Sequence, residues 1–221
     1  MRGGAIAVLL LNEVAFFLEG TDIAKPNTMT QTKVRLWNVN EYHRMLETGI
    51  IAADERVELI EGQVIPMSAK NPPHAATTLC ASDYLKRLLA EVALVRVQDP
   101  IQLSQYSEPE PDIAVVRIDT RKYIDRHPAP NDIFLLIEVA DTTLETDRKQ
   151  KALLYAKAGI TDYWILDVNQ RQVYVFREPE LEVYNLEFIL PEDATLSFIA
   201  SPEIEIQISQ MFPSVWRSQV F

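Results

Sequence analysis

Residues Ile133–Val139 read Ile-Phe-Leu-Leu-Ile-Glu-Val, an apolar run interrupted by one acid. A strand with one wet face alternates apolar and polar residues. A nearly unbroken apolar run is the pattern of a strand covered on both faces. Such a strand needs layers on either side, and the flanking sequence supplies them. Glu41–Glu47 reads as a short helix, capped by Asn38 or Asn40 and ended at Gly49. Val57–Ile60 and Gln63–Met67 flank Glu61-Gly62, which predicts two strands and a tight turn. His74–Glu91 predicts a helix, with Leu79, Leu85, Leu88, Leu89 and Val92 at roughly helical spacing. Ala93–Gln98 and Ile101–Leu103 read as extended, and Asp112–Ile118 as a strand set up by Pro109 and Pro111. Asp147–Ala158 predicts a helix stopped by Gly159. Tyr163–Val168, Val173–Arg177, Val183–Leu190 and Ile204–Ile208 complete the strands. This order predicts one α/β domain, a mixed sheet flanked by helices.

Composition agrees with that reading. Hydrophobic residues make up 48% of the 221 and charged residues 24%, the balance of a globular domain. A chain of this length buries enough surface to need no covalent staple. Its one cysteine, Cys80, cannot form an internal disulfide or a zinc cluster, which fits a reducing, cytoplasmic setting. The net charge is −11, from 32 acids and 21 bases. Eight of the acids, and no Lys or Arg, fall between Glu178 and Glu205. The body of the chain is near balance, so a local basic surface is compatible with the acidic total, while indiscriminate binding to phosphate backbones is not.

Arg2 and Ala5–Leu11 imitate a signal peptide, but Asn12 and Glu13 end the apolar run early. A membrane-spanning helix needs about 20 apolar residues, so no membrane attachment is expected. Residues 1–28 read as a loose extension ahead of Val34-Arg35-Leu36-Trp37. The alternative is a short amphipathic helix through Leu9, Leu10, Val14, Phe17 and Leu18.

Several chemistries lack their residues. The six glycines build neither a dinucleotide fingerprint nor a Walker loop, and there is no G-x-S-x-G elbow. His43, His74 and His127 have no metal-ligand spacing. What remains is acids at the ends of buried strands. Asp112 opens one apolar strand and Glu138 closes another. A charge there is expensive unless it is paired or binds a cation. If the two strands pair, their carboxylates repel, and a divalent cation such as Mg²⁺ relieves that repulsion. The plainer reading is that both acids mark strand boundaries. Asp147, Lys151 and Tyr155 share one helix face at i, i+4 and i+8. They read either as a surface ion pair or as a face that aims Lys151 at the strand tips, where it could stabilise charge on a phosphate.

Pro111-Asp112 followed after 26 residues by Glu138-Val139-Ala140 resembles the PD-(D/E)XK nuclease superfamily, with Ala140 where its strand lysine stands. The Uma-type restriction endonuclease family shows the same departure, and residues 34–212 resemble it. The matching pieces are Arg56–Gly62, His74, Pro111–Val116, Leu136–Val139, Asp147-Arg148, Lys151, Tyr155-Ala156, Ala158–Ile160 and Tyr163–Asp167. The resemblance implies a restriction-endonuclease-like domain over residues 29–221. It implies that Asp112 and Glu138 bind metal, that Lys151 replaces the strand lysine, and that Glu58 is an additional acid near the metal. His74 and Tyr155 match positions near the site. The plainer roles are a solvated strand residue for Glu58, a neighbour of a helix cap for His74, and core packing for Tyr155.

The function implied is a DNA endonuclease dependent on Mg²⁺ (or Mn²⁺), with Arg117, Arg121, Lys122 and Arg126 either available to flanking phosphates or set in a solvated loop beside Asp119 and Asp125. The alternative is a non-cleaving protein of the same fold that acts in binding or assembly, suggested by the acidic stretch. A hydrolase of small phosphate esters ranks behind both, because no small-ligand loop is visible. Cutting a duplex suits a homodimer, which mirrors the two strands.

Overall fold

The apolar run forms β5, Ile133–Ala140, and every residue in it except Phe134 is buried. In the computed structural model, which describes residues 34–214, β5 lies inside a six-stranded mixed sheet. The expected loose extension over residues 1–28 lies outside the described residues. The sheet order is β3 (Leu94–Val97), β4 (Ile113–Val116), β5, β6 (Asp162–Asp167), β7 (Gln172–Glu180), β8 (Val183–Pro191). β5 and β6 run parallel, and every other neighbouring pair is antiparallel.

Alternation along β5 assigns two cores. Leu135, Ile137 and Val139 face α2 (Pro72–Leu88) and the C-terminal residues Phe198, Ile208 and Met211. Leu136 and Ala140 face the opposite layer with Tyr163, Ile165, Tyr174 and Phe176. That layer holds a composite helix over 144–157, which crosses from β5 to β6. It consists of an α-turn (Leu144–Thr146), a π-helical stretch (Asp147–Lys151) and an α-helix (Ala152–Lys157). Gly159, at φ +75°, ends it in the left-handed region that glycine enters without cost.

Two smaller units border the sheet. α1 (Val39–Glu47) starts at a capping box, in which the Asn38 side chain accepts from the Glu41 amide and Glu41 accepts from the Asn38 amide. β1 (Val57–Ile60) and β2 (Gln63–Pro66) form the predicted hairpin. Its turn residues Glu61 and Gly62 both have positive φ. A Cβ on Gly62 would fall 2.6 Å from that of Leu36, so the position is closed to larger residues.

Several expectations need correction. α2 begins at Pro72 and ends at Leu88, and it buries Thr77, Thr78, Ala81, Ser82 and Leu85. Leu79 and Val92, counted in the helical spacing, are 60% and 38% exposed. The stripe that docks on the sheet is made largely of small residues, which let the helix approach closely but carry little hydropathy signal. The strand read as Asp112–Ile118 is shorter, with Asp112 just before its start. Ile101 and Leu103 are buried but lie outside the strands, and Ile204–Ile208 contracts to β10 (Ile206–Gln207), paired with β9 (Thr195–Leu196). The acidic stretch enters the sheet as the end of β7 and all of β8. Three of its acids pair with bases: Glu187 with Arg148, Glu182 with Lys157 and Glu192 with Arg171.

Candidate active site

The β4–β5 register places Ile113 opposite Ile137. One step further along both strands brings Asp112 beside Glu138, on the face opposite that of Ile113 and Ile137. The 26-residue separation therefore spans β4, its connection to β5 and β5 as far as Glu138, and the two acids are cross-strand neighbours. The Asp112 amide donates to Glu138 Oε2 at 3.3 Å, and the Val139 amide donates to Asp112 Oδ2 at 2.9 Å. Both carboxylates are buried, at 7% and 6% exposure.

Each acid is held by further side chains. His74, in the first turn of α2, sets Nε2 2.9 Å from Asp112 Oδ2. Gln98 donates from Nε2 to Asp112 Oδ1 at 3.1 Å, and its backbone amide donates to the Asp112 carbonyl at 3.0 Å. Gln98 adopts φ +53°, a left-handed conformation that costs a residue with a side chain about 1–2 kcal/mol. Tyr155 donates its hydroxyl to Glu138 Oε1 at 2.6 Å.

Lys151 reaches the same point from the composite helix. Its Nζ lies 2.9 Å from Glu58 Oε2 and 3.6 Å from Glu138 Oε1. Glu58 is 8% exposed, which removes the reading of it as a solvated strand residue, and it also accepts from the Glu110 amide at 3.2 Å. Asp147 faces the same cleft, with Oδ2 accepting from the Thr143 hydroxyl at 2.6 Å. A π-helical stretch has about 4.4 residues per turn, so Asp147 and Lys151 line up more nearly than on an α-helix. Such stretches recur at functional sites.

Burial dominates the proton affinities. It pushes Glu138 up to about 8; the attraction of Lys151 pulls it down and the charge of Asp112 adds to the rise. Burial likewise raises Asp147 to about 6, against its bond from Thr143. Burial also raises Asp112, but the combined pull of His74, the Val139 amide and Gln98 takes it below the ordinary carboxylate range. Burial would lower Lys151, yet the charges of Glu138 and Glu58 hold it above the ordinary lysine range. The site therefore sets an Asp112 that favours its ionised form and a Lys151 that favours its protonated form beside a Glu138 whose proton a cation can displace.

These groups line one cleft between the β1–β2 hairpin, the start of α2 and the composite helix. Glu58, Glu110, Asp112, Glu138, Asp141 and Asp147 line it, against Lys70, Lys151 and His74. Of the residues singled out in the sequence, Asp112, Glu138, Lys151, Glu58 and His74 line the cleft. Tyr155 lies behind it, fully buried, packing edge-on against Tyr163 at a ring separation of 4.9 Å while bonding Glu138.

The sequence-model of the family Uma2, described as "Putative restriction endonuclease", matches residues 39–209. The chain belongs to the Uma2 family. Among solved structures, the Uma2 chain is similar to a protein from Anabaena variabilis ATCC 29413, described as a putative nuclease belonging to DUF820. The identity is 18%, the match covers 79% of this chain and 97% of that one, and the TM-score is 0.59. That likeness shows the shared fold. No curated protein matches the sequence.

The loop bases lie outside the cleft. Arg121 pairs with Asp125, Arg126 with Asp132, and Arg117 lies over the Phe134 ring. None of them, nor Lys122, lines the cleft. Besides Lys151, Lys70 and Arg56 lie near the acids, both paired with Glu110. Sequence reading passed over Lys70, Glu110 and Gln98 because nothing local marks them. Glu110 lies between two prolines, a context that reads as a loop.

Proposed function

We propose that this Uma2 protein is a DNA endonuclease that hydrolyses phosphodiester bonds with Mg²⁺ or Mn²⁺. The observation that carries the reading is the side-by-side placement of Asp112 and Glu138 with Lys151 Nζ 3.6 Å from Glu138. The donor set fits a hard divalent cation, because the adjacent ligands are all carboxylate oxygens. Burial raises the proton affinity of Glu138, and a dication at that point relieves the same penalty. A phosphodiester is repelled from a cleft with six acids and two lysines until cations neutralise it. The residues present support a metal requirement.

Asp112 and Glu138 would hold the ion. When bound, it supplies Lewis-acid contact to the phosphate and a more acidic water. Lys151 stays protonated, so it donates hydrogen bonds; it orients the attacking water or meets the charge that grows on the phosphoryl oxygens. His74 and Gln98 fix the Asp112 carboxylate, and Tyr155 fixes Glu138. In the reaction the water oxygen bonds phosphorus and one P–O ester bond breaks. A homodimer would present two such clefts to the two strands of a duplex. Among the described residues no helix is long and apolar enough to cross a membrane, and a cytoplasmic setting goes with a DNA substrate.

The test is cleavage of supercoiled and linear DNA with Mg²⁺ or Mn²⁺, comparing wild type with Asp112→Ala and Lys151→Ala. Cleavage by wild type and by neither variant is the expected result. Activity that persists in both variants, or a folded wild type that binds Mg²⁺ and cuts nothing, overturns the reading and favours a non-cleaving binding or assembly role.

A further inference from the structure

Three residues outside the cleft converge from distant parts of the chain. His43 lies on α1, Glu108 in the segment leading to Asp112, and His127 in the loop between β4 and β5. One ring nitrogen of each histidine and one carboxylate oxygen of Glu108 lie within 4.8 Å of one another. His43 Nε2 meets Glu108 Oε1 at 2.7 Å, and the two imidazoles approach edge-on, with centroids 6.4 Å apart. Glu108 is 4% exposed, and its Oε2 is buried with no hydrogen-bond partner. An unsatisfied acceptor in the interior costs about 1–3 kcal/mol, so one bond from His43 leaves this carboxylate incompletely served.

We propose that His43, Glu108 and His127 form a transition-metal site, with Zn²⁺ as its principal ligand. Two imidazoles and a carboxylate are the ligand types of such ions, whereas Mg²⁺ takes oxygen ligands alone. With bonds of about 2.0–2.2 Å, tetrahedral ligands sit roughly 3.3 Å from one another. Entry of the ion therefore replaces the hydrogen bond between His43 and Glu108 with a slightly wider spacing and draws His127 inward. Burial, opposed by the charge of Glu108, lowers the His127 pKa and favours the neutral ring that metals bind. The His43 side chain is 40% exposed, which gives the ion an entry path and leaves a fourth position to water.

This site is separate from the acidic cleft, since none of its three residues lines that cleft. It would fasten three segments together. Glu108 exchanges backbone hydrogen bonds with Leu59 of β1, beside Glu58. The ion would thus tie α1 and the 119–132 loop to the strand that carries a cleft acid.

The experiment uses the tag-free full chain after chelator treatment. Zn²⁺ is titrated calorimetrically in excess Mg²⁺, and Co²⁺ serves as a spectroscopic probe of coordination. The expected result is one equivalent of Zn²⁺ bound, a raised melting midpoint, and the visible bands of tetrahedral Co²⁺. His127→Ala and Glu108→Gln weaken Zn²⁺ on the order of tenfold or more, while Asp112→Ala binds it as wild type does. Circular dichroism confirms that each variant is folded, and His127→Ala, a loop substitution, carries the test if Glu108→Gln does not fold. The proposal is overturned if wild type takes up no Zn²⁺, if folded His127→Ala binds it undiminished, or if Asp112→Ala abolishes the binding.

Discussion

Tyr155 donates its hydroxyl to Glu138 across 2.6 Å from a ring with no solvent exposure. Burial, with the charge of Glu138, keeps this phenol protonated far above the ordinary tyrosine range. It is a fixed donor that orients one carboxylate oxygen and leaves the other to the Asp112 amide. Tyr155→Phe keeps the ring packing and removes the donor, at a cost of about 1–3 kcal/mol for the underserved carboxylate. Calorimetric melting of the two proteins, paired with Mg²⁺ titration, checks this. An unchanged midpoint together with unchanged Mg²⁺ affinity would leave Tyr155 with a packing role alone.

The proton affinity of Glu138 predicts a pH dependence. Its folded value, about 8, lies above the ordinary 4.5. The stability it contributes is therefore complete below pH 4.5 and is lost as pH rises through about 8. Asp147, raised from 3.8 to about 6, acts in the same direction at lower pH. Asp112 is shifted downward, so its contribution is lost only below pH 3.8. Metal-free protein should melt at a lower temperature at pH 8.5 than at pH 5.5, and Mg²⁺ should protect more as pH rises. Glu138→Gln flattens both trends. Equal slopes for wild type and Glu138→Gln would remove Glu138 as their source.

Lys151 meets two buried acids at once, Glu58 at 2.9 Å and Glu138 at 3.6 Å. Removing one partner of a buried pair costs about 3–5 kcal/mol, and losing a charge-stabilising donor slows a reaction by about 100- to 1000-fold. Lys151→Met should therefore lower both the melting midpoint and DNA cleavage. Lys151→Arg restores the charge but presents a planar fork in place of a compact ammonium. It should recover stability more fully than turnover. Full recovery of cleavage by Lys151→Arg would show that charge alone suffices there.

Gln98 separates backbone strain from side-chain function. Gln98→Gly loses the bond to Asp112 Oδ1 but relaxes the left-handed backbone, whereas Gln98→Ala loses the bond and keeps the strain. The glycine variant should be more stable than the alanine variant by about 1 kcal/mol, and both should bind Mg²⁺ more weakly than wild type. Wild-type Mg²⁺ affinity in both would mean that Gln98 does not position Asp112.

Part of this architecture is plain in the amino-acid order, and part depends on tertiary contacts. The apolar run of β5 announces a covered strand because hydropathy acts residue by residue, and Glu138 stands out within it. The β1–β2 turn is visible because Glu61-Gly62 has the backbone freedom the turn needs. α2 is harder to read, since Thr77, Thr78, Ala81 and Ser82 dock through small size. The π-helical stretch over Asp147–Lys151 has no propensity signature of its own. His43, Glu108 and His127 have no local spacing, because their proximity comes from how α1 and two loops pack. Gln98 meets Asp112 through a single unusual backbone angle.

That π-helical stretch also marks a place where the chain can lose a residue without losing register. Five residues at about 4.4 per turn and four at about 3.6 per turn sweep nearly the same angle around the helix axis. Removing one residue from within Asp147–Lys151, such as Lys149, would therefore let the segment close as an α-helix with Asp147 still stacked over Ala152. A lost codon here is thus a step this scaffold can absorb, with both ends of the helix keeping their stations.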